Sequence, residues 1–401
     1  MKHALVLSTL YPNASNSRFG TFVARSMESL AARGDWRVSV INPIGLPPLG
    51  MAALSDRYRA LRDLPERAEE GGITVYRPRF TVVPKLGARR NAAAIAKAAL
   101  PIARDINAEA AVDLVDAQFF FPDGLAASEL AQALGVPLTI KARGSDITYW
   151  GTFDFAREQM RVAASAASGL LAVSEALAEE TVATLDTPRD KIKVHYTGLD
   201  RDRFRPLDHT QLRAQLGGIL GFELLDDSPL LAGVGALVAR KGHDISIEAL
   251  ALLKMEHPDA RLLLVGQGEE EAILRRLAAE LGVEDRVHLT GAVDHNLLPL
   301  ILSSADMMVL PTSNEGLANA WVEALACGTP VVTCHVGGAR ELLKTEVAGR
   351  LVERNVGSVA QGIREVLAEP PDPQEVAALA QAFDWTTHAD KLAEYYETLL
   401  A

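Results

Sequence analysis

Two carboxylates eight residues apart, Glu315 and Glu323, are the residues best placed in this chain to do chemistry. On one continuous helix they would lie ~12 Å apart along the axis and about 80° apart around it. A shared site therefore requires Glu315 in the loop before a helix and Glu323 inside it. The flanking residues fit that arrangement: a strand ends near Pro311, a helix runs from about Leu317 to Ala326, Gly328 closes it and Pro330 opens the next strand. Gly316 and Leu317 would then open the helix, where backbone N–H groups lack intrahelical acceptors and bind anions. Gly316 also lets the backbone approach a phosphate closely. Carboxylates pair well with hydroxyls, so two of them around a phosphate site suggest a sugar on one side and a ribose on the other. The simpler reading is a capping Glu315 and a solvated Glu323.

Short apolar runs must position these groups. Ala4–Leu7, Val38–Ile41, Leu138–Ile140 and Leu170–Val173 alternate with helix-period segments such as Phe22 to Ala32. The second half repeats the pattern with Leu230–Val234, Arg261–Val265, Val287–Leu289, Met307–Leu310 and Pro330–Thr333. Such alternation predicts parallel sheets with helices on both faces, in two doubly wound domains. The periodicity breaks between residues 198 and 229, which sets domains at 1–200 and 201–383. Open parallel sheets bind ligands beyond the carboxyl ends of their strands, so the functional residues are expected on loops that follow strands, in a cleft between two facing sheets.

Composition sets outer limits. A chain of 401 residues, 48% apolar and 23% charged, supplies two globular cores. Two cysteines make no disulfide framework and no window reaches the length of a membrane span, so a cytoplasmic protein is expected. The first apolar run reads as a strand rather than a signal peptide. The net charge of −12 is uneven: residues 1–200 hold 23 Lys and Arg against 22 Asp and Glu, and residues 201–401 hold 17 against 30. Residues 57–104 alone carry 11 basic side chains against four acidic ones, beside the apolar loop Leu46–Met51. That face could meet the inner face of an anionic membrane, or be an ordinary solvated helix face. Nucleic-acid binding is disfavoured by the acidic balance. Asp200-Arg201-Asp202 lies in the domain junction and is not read as a metal site. Gly266-Gln267-Gly268 lacks a third glycine and is followed by three glutamates, so it is not read as a dinucleotide fingerprint. The histidines have no metal-ligand spacing, and no metal or other cofactor is expected.

The Pro311–Pro330 segment resembles the E-x7-E motif of the family-4 retaining glycosyltransferases. The resemblance implies their GT-B architecture, an α/β fold of two doubly wound Rossmann-like domains facing across a cleft. It assigns the donor sugar to Glu315, the ribose to Glu323 and the sugar diphosphate to the backbone of Gly316 and Leu317. Val234–His243 resembles the diphosphate loop of that family, with Lys241 neutralising the leaving phosphate. The family usually has Arg where this chain has Ala236, and Arg240 is the candidate substitute. Val336–Glu341 resembles the glycine-pair loop, which places Gly337 and Gly338 near the donor. His195–Pro206 resembles the interdomain junction, and Phe383–Trp385 the segment that returns to the first domain, so that helix 384–401 completes it. Lys141–Asp146 resembles the family's His-Gly-x-Asp loop, with Arg143 in the His place and Asp146 carried over as a catalytic residue. Arg18–Thr21 stands at the Gly-rich loop after the first strand, where Gly20 admits a phosphate or acceptor and Thr21 caps the next helix.

The reading that follows is a metal-independent retaining transferase that moves a sugar from a nucleotide-diphosphate sugar to a hydroxyl of a glycan or lipid-linked acceptor, as in cell-envelope or exopolysaccharide assembly. A nucleotide-sugar epimerase of the same fold is the first alternative. A NAD-dependent oxidoreductase and a two-domain solute-binding protein come after it.

Overall fold

A computed structural model describes residues 1–16, 19–48, 56–82, 87–208 and 211–401. Arg18, Lys85 and the Leu49–Met51 end of the apolar loop lie outside the described residues. The chain forms two compact units: Met1–Gly198 with Trp385–Ala401, and Leu199–Asp384.

The strands in chain order are β1 (Lys2–Leu7), β2 (Trp36–Ile41), β3 (Ile44–Leu46), β4 (Arg67–Glu70), β5 (Ile73–Tyr76), β6 (Arg79–Thr81), β7 (Leu114–Ala117), β8 (Leu138–Ala142), β9 (Gly169–Ala172) and β10 (Ile192–Val194) in the first unit. The second unit holds β11 (Leu230–Val234), β12 (Arg261–Val265), β13 (Val287–Gly291), β14 (Met307–Leu310), β15 (Val331–Cys334) and β16 (Gly349–Val352).

The first sheet runs β10-β9-β8-β7-β1-β2-β5-β4, and β3 pairs with β6 separately. Strands such as β7, β8 and β9 are buried at every position, as strands covered by helices on both faces must be. The edge strand β4, Arg-Ala-Glu-Glu, has no buried residue and pairs antiparallel with β5 through Gly71-Gly72. Both glycines have positive φ, 57° and 78°, the conformation a two-residue hairpin turn requires. Its charges keep the edge from pairing with other chains.

The helix Trp385–Leu400 belongs to this first unit. Its Leu392, Ala393, Tyr395 and Tyr396 share a core with Val6, Met27, Trp36 and Val38, and Tyr396 packs edge-on to Trp36 at 5.4 Å between ring centres. Gly169 and Gly198 make room for it: a Cβ at either would overlap Tyr395 or Trp385. Where the chain passes between units, Leu199 N–H donates to the carbonyl of Phe383.

The second sheet, β13-β12-β11-β14-β15-β16, is parallel throughout. Its core joins Leu231, Leu262, Leu264, Met307 and Val309 to Ile247 and Leu250 of helix His243–Leu253 and to Val359 and Ile363 of helix Val356–Ala368. Among the parallel strands of each sheet the order reverses between β1 and β7 and between β11 and β14. Loops that leave neighbouring strands at such a reversal open a crevice, where ligands of this fold class bind.

Two local expectations are corrected. Thr21 is the first helical residue and caps nothing with its side chain; the cap position is Gly20, at φ 72°. A Cβ there would overlap the Leu10–Tyr11 peptide, so Gly20 is needed for backbone packing. The helix that carries Glu323 starts at Asn319, two residues later than Leu317. The Gly316 carbonyl accepts from Gly338 N–H at 2.7 Å instead of from an N–H one turn ahead, so the backbone before Asn319 stays out of the helix.

Candidate functional site

At the β11/β14 reversal two loops converge on one carboxylate. Glu315, five residues past β14, accepts from Lys241 Nζ, from Arg240 Nη1 at 2.9 Å and from Thr312 Oγ1 at 3.3 Å. Arg240 and Lys241 sit in a 3₁₀ turn, Ala239–Lys241, that follows β11 and ends at Gly242 with φ 72°. A side chain at 242 would overlap the Pro311 carbonyl, so glycine lets the two loops touch. Arg354 ties them from outside, donating to Pro311 O at 3.0 Å and Ala239 O at 3.2 Å. The side chains of Glu315 and Lys241 are 12% and 11% exposed, while that of Arg240 is 50% exposed. Burial pulls the Lys241 ammonium below its ordinary value, and Glu315 opposes that shift. The guanidinium of Arg240 points to Glu315.

Backbone contacts brace this centre. Gly337, at φ 46°, lies so close to the Glu315 carbonyl that a Cβ would overlap it, and Gly338 N–H holds Gly316. Gly316 and Leu317 therefore lie in the bend that leads into the helix, next to the glycine pair. Gly266-Gln267-Gly268 has a role its sequence did not show. Gly266 and Gly268 press on the carbonyls of Gly235 and Leu237, and Leu237 N–H donates to Gln267 O at 3.0 Å. The run thus braces the loop that carries Lys241. His243 donates from Nε2 to Ala236 O at 3.2 Å, and burial pulls its pKa down to about 4, so it stays neutral.

Glu323, one turn into helix Asn319–Ala326, is 13% exposed, and its Oε1 stands 3.5 Å from His295 Nε2. His295 follows β13, and its residue type carries no motif that marks it. The turn that presents it is capped by Asp294, whose carboxylate accepts from Asn296 N–H at 2.8 Å, and an Asp-x-Asn step after a strand is the signal that could have drawn attention to it. Asp200 spends its carboxylate on Arg203 N–H at 3.1 Å, a turn contact.

In the first unit, Asp146 is buried and accepts from Phe120 N–H at 3.0 Å, Arg143 N–H at 3.0 Å and Gly144 N–H at 2.9 Å. Burial raises its pKa and those N–H groups oppose the rise. The carboxylate fastens the loop after β8 to the loop after β7. Arg143 donates to Gln118 Oε1 and lies over the Phe22 ring at 4.9 Å, with burial lowering its pKa to about 10. Asp123, also unforeseen, accepts from Thr9 N–H at 2.8 Å and is pushed up to about 7 by burial, with Asp146 adding to the shift. It bridges the loops of the β1/β7 reversal. Behind this edge lies a polar network. Lys141 donates to His195 Nδ1 at 2.8 Å, His195 Nε2–H to His388 O at 3.0 Å, His388 Nδ1–H to Tyr196 O at 2.8 Å, and Ser26 Oγ–H to His388 Nε2 at 2.6 Å. Carbonyls only accept, so each histidine is a defined neutral tautomer. Among the described residues no group of three or more His, Cys, Asp or Glu is placed to hold a metal ion, and no helix is long and apolar enough to cross a membrane.

Two family models match: "Glycosyltransferase Family 4" over residues 20–203 and "Glycosyl transferases group 1" over residues 222–383. A D-inositol 3-phosphate glycosyltransferase of Mycolicibacterium smegmatis is 32% identical over 243 residues, 59% of this chain and 54% of that protein. The matches span about half the length of the first curated relatives. The putative teichuronic acid biosynthesis glycosyltransferase TuaC of Bacillus subtilis is matched along 98% of both chains at 28% identity. Among solved structures, sucrose-phosphate synthase from Thermosynechococcus elongatus superposes with a TM-score of 0.79 at 21% identity, covering 100% of this chain and 99% of that one. HepE of Anabaena in complex with UDP superposes with a TM-score of 0.72 at 21% identity, covering 99% and 100%. These likenesses establish the GT-B fold.

Proposed function

Because the chain belongs to the family-4 glycosyltransferases, we propose that it transfers a sugar from a nucleotide-diphosphate sugar to a hydroxyl of a glycan or lipid-linked acceptor, with anomeric configuration retained. The observation that carries this reading is the Lys241–Glu315–Arg240 cluster at the β11/β14 reversal. Two cations share one carboxylate there. An incoming diphosphate offers them a second anion, which leaves the Glu315 oxygens to accept from sugar hydroxyls. The bond from the anomeric carbon to the phosphate oxygen breaks, the acceptor oxygen bonds to that carbon on the same face, and the acceptor's proton passes to the departing phosphate. Lys241, poorly hydrated, stabilises the charge that builds on that phosphate. Side-chain cations supply this stabilisation in place of a metal. Gly316, Leu317, Gly337 and Gly338 shape the backbone around the diphosphate. In the first unit, assigned to the acceptor, Asp146 acts by ordering the loop that holds Arg143, and Gly20 by close backbone packing.

UDP bound to HepE, whose fold this chain shares, supports a nucleotide donor, and the full-length likeness to TuaC supports a role in envelope polysaccharide assembly. A cytoplasmic place at the inner face of the membrane is part of the same reading. Arg90, at the N-cap of helix Asn91–Glu109, and Lys97 and Arg104 within it are exposed and seven residues apart, a basic row suited to anionic headgroups.

Thermal unfolding with UDP, GDP, ADP, CDP and NAD, each with and without EDTA, tests the donor assignment. A ligand at 100 times its Kd adds ~2.7 kcal/mol. An EDTA-insensitive rise with one nucleoside diphosphate is expected; a rise with NAD alone would overturn the reading. Co-sedimentation with anionic vesicles tests the basic row.

A further inference from the structure

Resting on the assignment of Glu323 to the donor ribose, we infer that His295 is the positioning residue for that carboxylate, and that Arg203 sets the tautomer with which it works. Arg203 Nη1 lies 2.8 Å from His295 Nδ1, and its Nη2 donates to Asn296 Oδ1. A guanidinium only donates, so Nδ1 must accept, and the imidazole proton sits on Nε2. That nitrogen faces Glu323 Oε1 at 3.5 Å. Phe204 meets the ring edge-on at 5.3 Å and limits its rotation. The imidazole is 52% exposed and contributes little to a core.

Glu323 projects from a helix with three side-chain torsions to settle. An N–H dipole 3.5 Å from one carboxylate oxygen biases the rotamer by electrostatic attraction and leaves the other oxygen to accept from a ribose diol, which lowers the ordering cost when nucleotide enters. The relay also reaches back along the chain. Arg203 stands four residues past Leu199, the residue bonded to Phe383 where the chain passes between units, and Arg201 Nη1 donates to Ala377 O at 3.3 Å. The segment that sets His295 is therefore the segment that begins the second unit.

The test is equilibrium titration of the full chain with UDP and GDP and with their 2′,3′-dideoxy counterparts. The unaltered protein binds the ribonucleotide about tenfold more tightly than its dideoxy counterpart, the scale of a hydrogen bond to a charged group. Glu323→Ala abolishes that preference. His295→Ala reduces it several-fold, His295→Gln, whose amide can donate in place of Nε2–H, restores it, and Arg203→Ala shifts it in the same direction as His295→Ala by less. In the Glu323→Ala background His295→Ala has no further effect. If His295→Ala keeps the full preference, or weakens both nucleotides equally, the inference is wrong while the reading of Glu323 stands. If Glu323→Ala keeps the preference, or neither nucleotide binds, the reading of Glu323 falls and the inference falls with it.

Discussion

The two sheet reversals are built alike and filled differently. Between β11 and β14, Lys241 and Glu315 face each other with about a tenth of each side chain open, and Arg240 is half exposed beside them. Between β1 and β7, Asp123 is buried outright, one oxygen taken by Thr9 N–H, and its neighbour Asp146 is spent on three backbone N–H groups. Behind it Lys141 is only 1% exposed, bonded to a neutral histidine under the C-terminal helix. Lysines and carboxylates occur at both places. What separates them is whether a charge keeps a partner that a ligand can replace. In the proposed function the cations around Glu315 trade it for phosphate, whereas Asp146 and Lys141 have traded water for fixed protein partners and hold loops in place.

The comparison breaks first at Lys241. Lys241→Ala should lower kcat by ~10²–10³-fold, the usual effect of removing a group that stabilises developing charge, with the melting temperature nearly unchanged. Turnover and a thermal melt on the same sample decide it, and equal losses in both would make Lys241 a structural cation like Lys141.

Asp123→Ala should do the reverse. Removing the buried acceptor of Thr9 N–H costs about 1–3 kcal/mol, and for a unit of this size each kcal/mol moves the melting temperature by roughly 2–4 °C. Binding of a nucleoside diphosphate should be unchanged. A urea titration followed by fluorescence measures the first and calorimetry the second.

A smaller effect sharpens the contrast through pH. Burial holds His388 well below its ordinary 6.5, so between that value and its folded one the unfolded chain binds the additional proton. Stability from this group is complete above pH 6.5 and is lost as pH falls. The stability difference between the natural chain and His388→Asn should shrink from pH 7 to pH 5, by at most about 1.4 kcal/mol per pH unit. Asp123 has the opposite sign: raised to about 7, it costs stability as pH climbs from the ordinary carboxylate range toward 7, which Asp123→Asn should remove. Chemical melts at three pH values separate the two.

Arg240→Ala is expected to be the mildest, raising the donor KM several-fold. Because the guanidinium is half exposed, the effect should fade with added salt, whereas that of Lys241→Ala should not.

Much of this arrangement could be read in advance. The buried strands are nearly unbroken apolar runs, and the spacing of Glu315 and Glu323 around a glycine demanded a loop and a helix, which is what forms. The misses share a cause, since each depends on a partner distant in sequence. The helix start moved to Asn319 because Gly338 takes the Gly316 carbonyl. Strand β4 is charged and holds its place through a two-glycine turn and the neighbouring β5. Gly266 and Gly268 show their purpose only against the carbonyls of Gly235 and Leu237. Asp123 and His295 carry no pattern of their own beyond a local turn. Arg240 could be named as the candidate substitute for the arginine absent at Ala236, but its contact with Glu315 needed the fold.

The helix Trp385–Leu400 has a consequence for how the chain is made. It supplies Leu392, Ala393, Tyr395 and Tyr396 to a core whose other buried members were synthesised before residue 199. While the second unit is being made the first therefore waits with an open apolar face. For that interval a nascent first unit is exposed to chaperones and to neighbouring nascent chains, and translation rate across residues 199–384 sets how long the exposure lasts.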